Sequence, residues 1–209
     1  PTIDVALASP APALPTLTTQ DADTIAGASD VAPASGTASF AGFFTLTSNM
    51  GADDGGTAPA LSYTLTVGAG KSVSGLSSDG NPITLSVAAN GDIIGTATAT
   101  TDTPDGIIFR IHVEQTGANA GQVTLTQYAE IDHVGEGNDG NAFNNSVSNL
   151  GLAAGSIILT ASATITDGDG DSKSDSQQLD VSGAFSFDDA LPTIDVALAS
   201  PAPALPTLT

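Results

Sequence analysis

Ile107 to Gln115 reads IIFRIHVEQ, followed by TGANAG (116–121) and QVTLTQYAEID (122–132). In the first run Ile107, Phe109, Ile111 and Val113 fall on one side of a two-residue period. Ile108, Arg110, His112 and Glu114 fall on the other. Strict alternation marks a half-buried strand, and a short loop with glycine between two such runs makes a hairpin. The same pattern recurs outward in both directions. LSYTLTV (61–67) puts Leu61, Tyr63, Leu65 and Val67 on one face. ITLSV (83–87) and DIIGTATAT (92–100) flank Asn90-Gly91, a strong hairpin turn. SIILTASATIT (156–166) alternates Ile157, Leu159, Ala161, Ala163 and Ile165, and QQLDVSGAFSF (177–187) follows. No stretch keeps a helical period. About eight strands at short spacing predict an all-β, antiparallel, Ig-like β-sandwich, with under about one-tenth helix.

Residues 40–191 form the expected sandwich, beginning at FAGFFTLTS with Phe40, Phe43 and Phe44 beside a strand. Before it, residues 1–39 read as a short strand (Ile3, Val5, Leu7 against Thr2, Asp4, Ala6), a Pro/Ala-rich connector (SPAPALP, 9–15) close to polyproline II, and a small, polar lead-in. After it, residues 192–209 repeat residues 1–18 without a substitution, at an offset of 191 residues. Either the parent chain repeats a unit of this length, or the segment was duplicated by design. A fixed period is the signature of a tandem array, and a unit this long suits a whole domain strung like a bead. One copy of the strand is expected to be ordered against the domain. The other is expected to be loose or to pair with a neighbouring molecule.

The composition narrows the chemistry. Hydrophobic residues are 40% of the chain but aromatics only 4%, so the core rests on aliphatics and a few Phe. Three basic residues face twenty-three acidic ones, a net charge of −20. That balance argues against nucleic acid and anionic membranes. It suits solubility in a salty medium, or neutralisation by calcium. Nearly all the acids are Asp, set beside Gly in turns, where oxygen-rich cation sites form. No Cys is present, so rigidity must come from elsewhere than disulfides. No apolar run is long enough for a membrane helix.

Asp167, Asp169 and Asp171 stand in D-G-D-G-D, three carboxylates on alternate residues with Gly between them. They are either an acidic hairpin turn or the ligands of one hard cation, for which Ca²⁺ fits a flexible carboxylate loop better than Mg²⁺. Ser172 and Gln178 stand where an EF-hand needs Gly and Glu. Asp188 and Asp189 lie directly before the duplicated segment, placed to bridge a cation to a neighbouring domain or simply to end the unit on acids. The turn NMGADDGG (49–56) carries Asp53 and Asp54. VGEGNDGNA (134–142) is a degenerate calcium nonapeptide and reads as a loop, since one copy cannot build a stacked roll. His112 and His133, without Cys, argue against zinc. Asp132-His133 suggests part of a triad, but no G-x-S-x-G accompanies it, and the scarcity of aromatics argues against a sugar-stacking cleft. No catalytic site is expected.

ASATITDGDGDS followed by FSFDDALPTI resembles the end of the large repeat of giant RTX adhesins exported by type I secretion. FTLTSNMGADDGG, LSYTLTV, GLSSDGNPITL and NGDIIGTA resemble its front, and the hairpin with EIDH its middle. The likeness spans most of residues 40–194. It implies a non-enzymatic extracellular extender at the bacterial cell surface. Neighbouring repeats of the same chain would be its partners, and Ca²⁺ at the junctions would stiffen the array for adhesion or biofilm formation. It places the calcium-binding role on Asp167, Asp169, Asp171, Asp188 and Asp189. The Pro/Ala-rich stretch at 9–15 departs from the pattern. The alternative is an extracellular glycan- or protein-binding module reading its ligand through loops such as 135–149.

Overall fold

A computed structural model describes residues 1–21, 34–53, 55–98, 105–133 and 150–188. Among them run fourteen strands: β1 (Thr2–Leu7), β2 (Leu17–Gln20), β3 (Ala34–Ser39), β4 (Phe44–Asn49), β5 (Ser62–Val67), β6 (Val73–Ser78), β7 (Asn81–Val87), β8 (Ile93–Thr96), β9 (Ile107–Val113), β10 (Gln122–Gln127), β11 (Leu150–Gly151), β12 (Ile157–Thr166), β13 (Ser172–Asp180) and β14 (Phe185–Asp188). Helical structure among the described residues is confined to short 3₁₀ turns, such as Ala41–Phe43 and Ser182–Ala184. The fold is an all-β sandwich. One layer is a six-stranded antiparallel sheet in the order β3-β10-β9-β8-β7-β6. The other is assembled from β13-β12-β5, the pair β1-β4 and the trio β11-β14-β2. Among the described residues the pairings are antiparallel except that of β14 with β2.

The alternating runs face inward as expected. In β12, Ile157, Leu159 and Ile165 are fully buried, with Ala161 and Ala163 between them. The β9–β10 hairpin keeps its register from Val113↔Val123 to Phe109↔Gln127. Ile108 departs from the expectation: it too is fully buried. The β8–β9 register slips by one residue between Gly95↔Phe109 and Thr96↔Ile107. Ile108 is the extra residue of a β-bulge, and a bulge re-aims a side chain that strict alternation would send outward. Ile108 and Phe109 thus both enter the core, where Phe109 meets Phe187 at 5.0 Å between ring centroids.

Two strands lie in the stretch that reads as a linker before Phe40. β2 runs beside β14, from Leu17↔Phe185 to Gln20↔Asp188, with Leu17 buried. β3 forms an edge of the six-stranded sheet, from Ala34↔Gln127 to Ser39↔Gln122. Small residues in β3 are a packing requirement: a Cβ on Gly36 would come within 3.2 Å of the Thr18 backbone. The sandwich therefore takes in residues well before Phe40. β1 is a true strand, paired with β4 from Thr2↔Asn49 to Leu7↔Phe44. It buries Ile3 and Val5, each contributing about 1.5–3 kcal/mol. The stretch 9–15 between β1 and β2 has no regular structure.

QQLDVSGAFSF, which closes the expected sandwich, is divided between two strands. The 3₁₀ turn at Ser182–Ala184 ends β13 and hands the chain to β14 in a different sheet. Here the Ile157 amide donates to Ser182 Oγ at 2.9 Å. The Ser182 hydroxyl donates to Asp180 Oδ1 at 2.6 Å. Residues 135–149, Asp189 and the second copy, 192–209, lie outside the described residues.

Candidate metal centre

β12 and β13 are joined by the D-G-D-G-D turn. The Asp167 amide donates to the Asp171 carbonyl at 3.0 Å, and the Gly170 amide to the Asp167 carbonyl at 3.2 Å. Gly170 takes a φ of 99°, a conformation glycine adopts without a Cβ clash. The Asp171 amide donates to Asp167 Oδ1 at 2.9 Å. The turn thereby curls round the side chain of its first aspartate.

A second segment closes on this turn. The Gly168 amide donates to the carbonyl of Asp53 at 2.8 Å, and Thr57 forms a β-bridge with Thr166. Gly56 permits the approach, since a Cβ there would stand 2.0 Å from the Thr166 carbonyl oxygen. The result is a cluster of Asp53, Asp167 and Asp169, each offering a carboxylate oxygen within 4.8 Å of the others. Asp167 is buried, while Asp53 and Asp169 are exposed. The hydrogen bond shared by Asp167 and Asp169 holds the Asp167 carboxyl below the ordinary carboxylate value and pushes that of Asp169 above it. Ionising one of two adjacent carboxyls makes the second harder to ionise, because like charges repel. A divalent cation relieves the same repulsion, and three carboxylates suit a hard ion. These three residues form a set that can hold a metal ion.

Two of the five expected ligands, Asp167 and Asp169, are in this set. Asp171 closes the turn through its backbone, and its carboxylate is not one of the three. Asp188 ends β14, where it accepts from the Ser186 hydroxyl at 3.3 Å. It belongs to the other end of the sandwich: Asp167 follows the Thr166 end of β12, whereas β14 follows the turn tied to Ile157. Asp189 is outside the described residues. Asp53 was not among the expected ligands. Its acidic turn was visible in sequence, but nothing local couples it to a turn so distant along the chain.

Pro1 also reaches the cluster, its nitrogen 3.5 Å from Asp167 Oδ2. β1 therefore starts at the end of the domain that carries the acidic cluster.

Two other polar groups stand apart. Asp92, buried beneath the six-stranded sheet's outer side, accepts from Asn90 Nδ2 at 2.7 Å and lies 2.7 Å from His112 Nδ1. Arg110 sits 5.9 Å above the Tyr128 ring. The second group is internal. Asp21 accepts from Gln127 Nε2 at 2.5 Å and from the Ile131 amide at 3.2 Å, and lies 3.4 Å from His133 Nδ1. Asp132 turns away from His133 and accepts instead from the Gly80 amide at 2.9 Å. The Asp-His pair suggested by sequence adjacency is thus replaced by Asp21 and His133.

No curated protein and no solved structure matches the chain. The model of the family described as "Domain of unknown function (DUF5801)" matches residues 16–181, a stretch that takes in β2, β3 and the whole candidate metal centre, and the chain belongs to that family.

Proposed function

We propose that this protein is a structural extender of a bacterial surface adhesin, stiffened by calcium at its junctions and acting outside the cell without catalysis. The observation that carries this reading is the placement of the acidic residues at the two ends of the sandwich. Asp53, Asp167 and Asp169 lie where β1 begins, and Asp188 lies where β14 ends. Directly after Asp188 and Asp189 the sequence restarts at Pro192. In a tandem array the aspartate pair of one unit would stand three residues before the next unit's counterpart of Pro1. Three extended residues span about 10 Å, within reach of the Asp167 cluster. The Pro1 nitrogen would there be an uncharged tertiary amide, and the acids would need another cation. Ca²⁺ fits the role because oxygen-only, carboxylate-rich loops accept its variable coordination. Extracellular modules of this type bind at about 10⁻⁴–10⁻³ M, so such a chain would be loose during export and stiff outside.

Thermal melting with calcium and with chelator tests the reading, beside the triple change Asp167→Asn, Asp169→Asn, Asp171→Asn. Calcium at a hundred times its dissociation constant stabilises the fold by about 2.7 kcal/mol. The wild type should melt higher in calcium, and the triple variant should lose most of that rise. Equal melting temperatures with and without calcium would remove the stiffening mechanism.

A further inference from the structure

The Asn90-Gly91 turn sets a carboxylate beneath the outer face of the six-stranded sheet. Asn90 fixes it there: Oδ1 accepts from the Asp92 amide at 3.2 Å, and Nδ2 donates to Asp92 Oδ2 at 2.7 Å. Gln115, just past β9, ties the turn down by donating from Nε2 to the Asn90 carbonyl at 3.2 Å. The Asp92 side chain is only 4% exposed, and a carboxylate so buried needs partners. Its other oxygen has one, His112 Nδ1 at 2.7 Å. The carboxylate accepts, so Nδ1 carries the proton. In the neutral ring Nε2 is then left with a free lone pair, and the ring is half-exposed.

Glu114 follows two residues later and so lies on the same face. Its Oε1 is 3.8 Å from His112 Nε2, a gap that one ion bonded to each donor at about 2.0–2.2 Å bridges. The neighbours do not oppose a cation. Arg110 lies on the other side of His112 along β9, over the Tyr128 ring, with its Nε 3.7 Å from Asp92 Oδ2. Asp92 and Glu114 together outnumber it. Thr124, opposite His112 on β10, is uncharged, and its hydroxyl is paired with that of Thr37. We propose that His112 Nε2 and Glu114 Oε1 bind a divalent transition-metal ion of the Cu²⁺ class, with Asp92 as the positioning residue behind the imidazole. A metal-ligating histidine almost always donates its other N–H to such a group, which fixes the tautomer and raises the basicity of the ligating nitrogen. An imidazole nitrogen beside a carboxylate suits Cu²⁺, whereas Ca²⁺ takes oxygen donors, so the site differs in chemistry from the Asp53, Asp167 and Asp169 cluster. Two protein donors fall short of a closed four-ligand zinc site, as the lack of cysteine leads one to expect. Water completes the shell, and the ion exchanges freely. The inference rests on neither the calcium nor the adhesin reading.

The histidine content permits a clean test. His112 and His133 are the only histidines, and His133 is buried with its nitrogens against the Ile131 and Phe187 carbonyls. An imidazole–copper signal therefore has one source. The full chain is titrated with Cu²⁺ in an excess of calcium. Electron paramagnetic resonance should show coupling to a single imidazole nitrogen, and proton NMR should show the His112 ring broadened while that of His133 stays sharp. His112→Gln should lose the nitrogen coupling and the binding that goes with it. Asp92→Asn should keep the coupling but weaken the affinity by about 10–100-fold, a separation of signal from strength that loss of fold would not produce. Glu114→Gln, at a half-exposed position, leaves the buried Asp92 network intact and should weaken binding about tenfold. It decides the matter if Asp92→Asn fails to fold, as judged by its melting without copper. Copper held instead by the Pro1 nitrogen and Asp167 would bind His112→Gln as well as wild type and show no imidazole coupling. That result would overturn the proposal, and so would a Glu114→Gln affinity equal to that of the wild type.

Discussion

His133 donates from both ring nitrogens to backbone carbonyls while lying against Asp21. Nδ1 is 2.7 Å from the Ile131 oxygen and 3.4 Å from Asp21 Oδ2, and Nε2 is 3.1 Å from the Phe187 oxygen. A carbonyl can only accept, so both nitrogens carry protons and the buried ring is an imidazolium. Its charge ties the end of β2, the strand exit after β10 and β14 at one point.

Burial alone would depress the His133 pKa. The hydrogen bond and charge of Asp21, with the carbonyls of Phe187 and Ile131, outweigh it and raise the pKa to about 9. A raised histidine pKa contributes stability that is complete below the unfolded value of 6.5 and is lost as pH rises through about 9. Melting temperature should therefore fall between pH 7 and pH 9.5, by an amount corresponding to at most about 3 kcal/mol. His133→Gln should melt lower at pH 6.5 and stay flat across that window. In proton NMR the ring of His133 should titrate near pH 9 in the wild type, and lower in Asp21→Asn. A wild-type melting temperature that does not change from pH 7 to 9.5 would show the ring to be neutral.

Ser182 gives a second prediction. Its hydroxyl oxygen accepts from the buried Ile157 amide where the chain passes from β13 to β14. Ser182→Ala leaves that amide without its acceptor, which costs about 1–3 kcal/mol. For a chain of this size each kcal/mol lowers the melting temperature by about 2–4 °C. Ser176→Ala, at an exposed position of β13, should stay within about 0.5 kcal/mol of wild type. Calorimetry on the two variants separates the effects.

Gly56→Ala is the third. The added methyl would meet the Thr166 carbonyl at 2.0 Å, and neither backbone can yield without opening the Thr57–Thr166 bridge. The variant should be destabilised by about 1–3 kcal/mol and should lose metal affinity as Asp53 is drawn away from Asp167. Gly51→Ala meets no atom within 4 Å but has a φ of 86°. It should cost stability through backbone strain alone, with metal affinity less affected. Titration calorimetry with calcium distinguishes the two.

The strands legible in the sequence were those with one buried and one solvated face, because that asymmetry imposes a period of two. β5, β9, β10 and β12 were found in this way. β13 is polar along its length (SKSDSQQLD) and exposed at most positions, so it has no such period and its boundary was misplaced. β2 is too short for a pattern, and β3 is built of small residues that let two backbones approach, which reads as linker. The metal-site signal was half local. The curl of D-G-D-G-D is encoded within five residues, whereas Asp53 and Asp21 acquire their partners only through long-range pairing.

Asp53 and Asp171 make the last prediction, because motif and geometry disagree about them. The alternating motif assigns Asp171 a ligand's role and ignores Asp53. The folded chain puts Asp53, Asp167 and Asp169 within 4.8 Å and uses the backbone of Asp171 to close the turn. Affinity in such sites follows the number of ligand charges that converge on the ion. Asp53→Asn should therefore weaken calcium binding about tenfold or more, and Asp171→Asn should weaken it far less. Acid should act in the same direction. The raised carboxyl of Asp169 takes up its proton above the ordinary value of 3.8, and a protonated carboxyl competes with the cation. Calcium affinity should begin to fall at a pH above 3.8 in the wild type, while Asp169→Asn should bind weakly at neutral pH and change little on acidification. Isothermal titrations at neutral and acidic pH give all four values. An Asp171→Asn loss as large as that of Asp53→Asn would return the site to the motif alone and remove Asp53 from it.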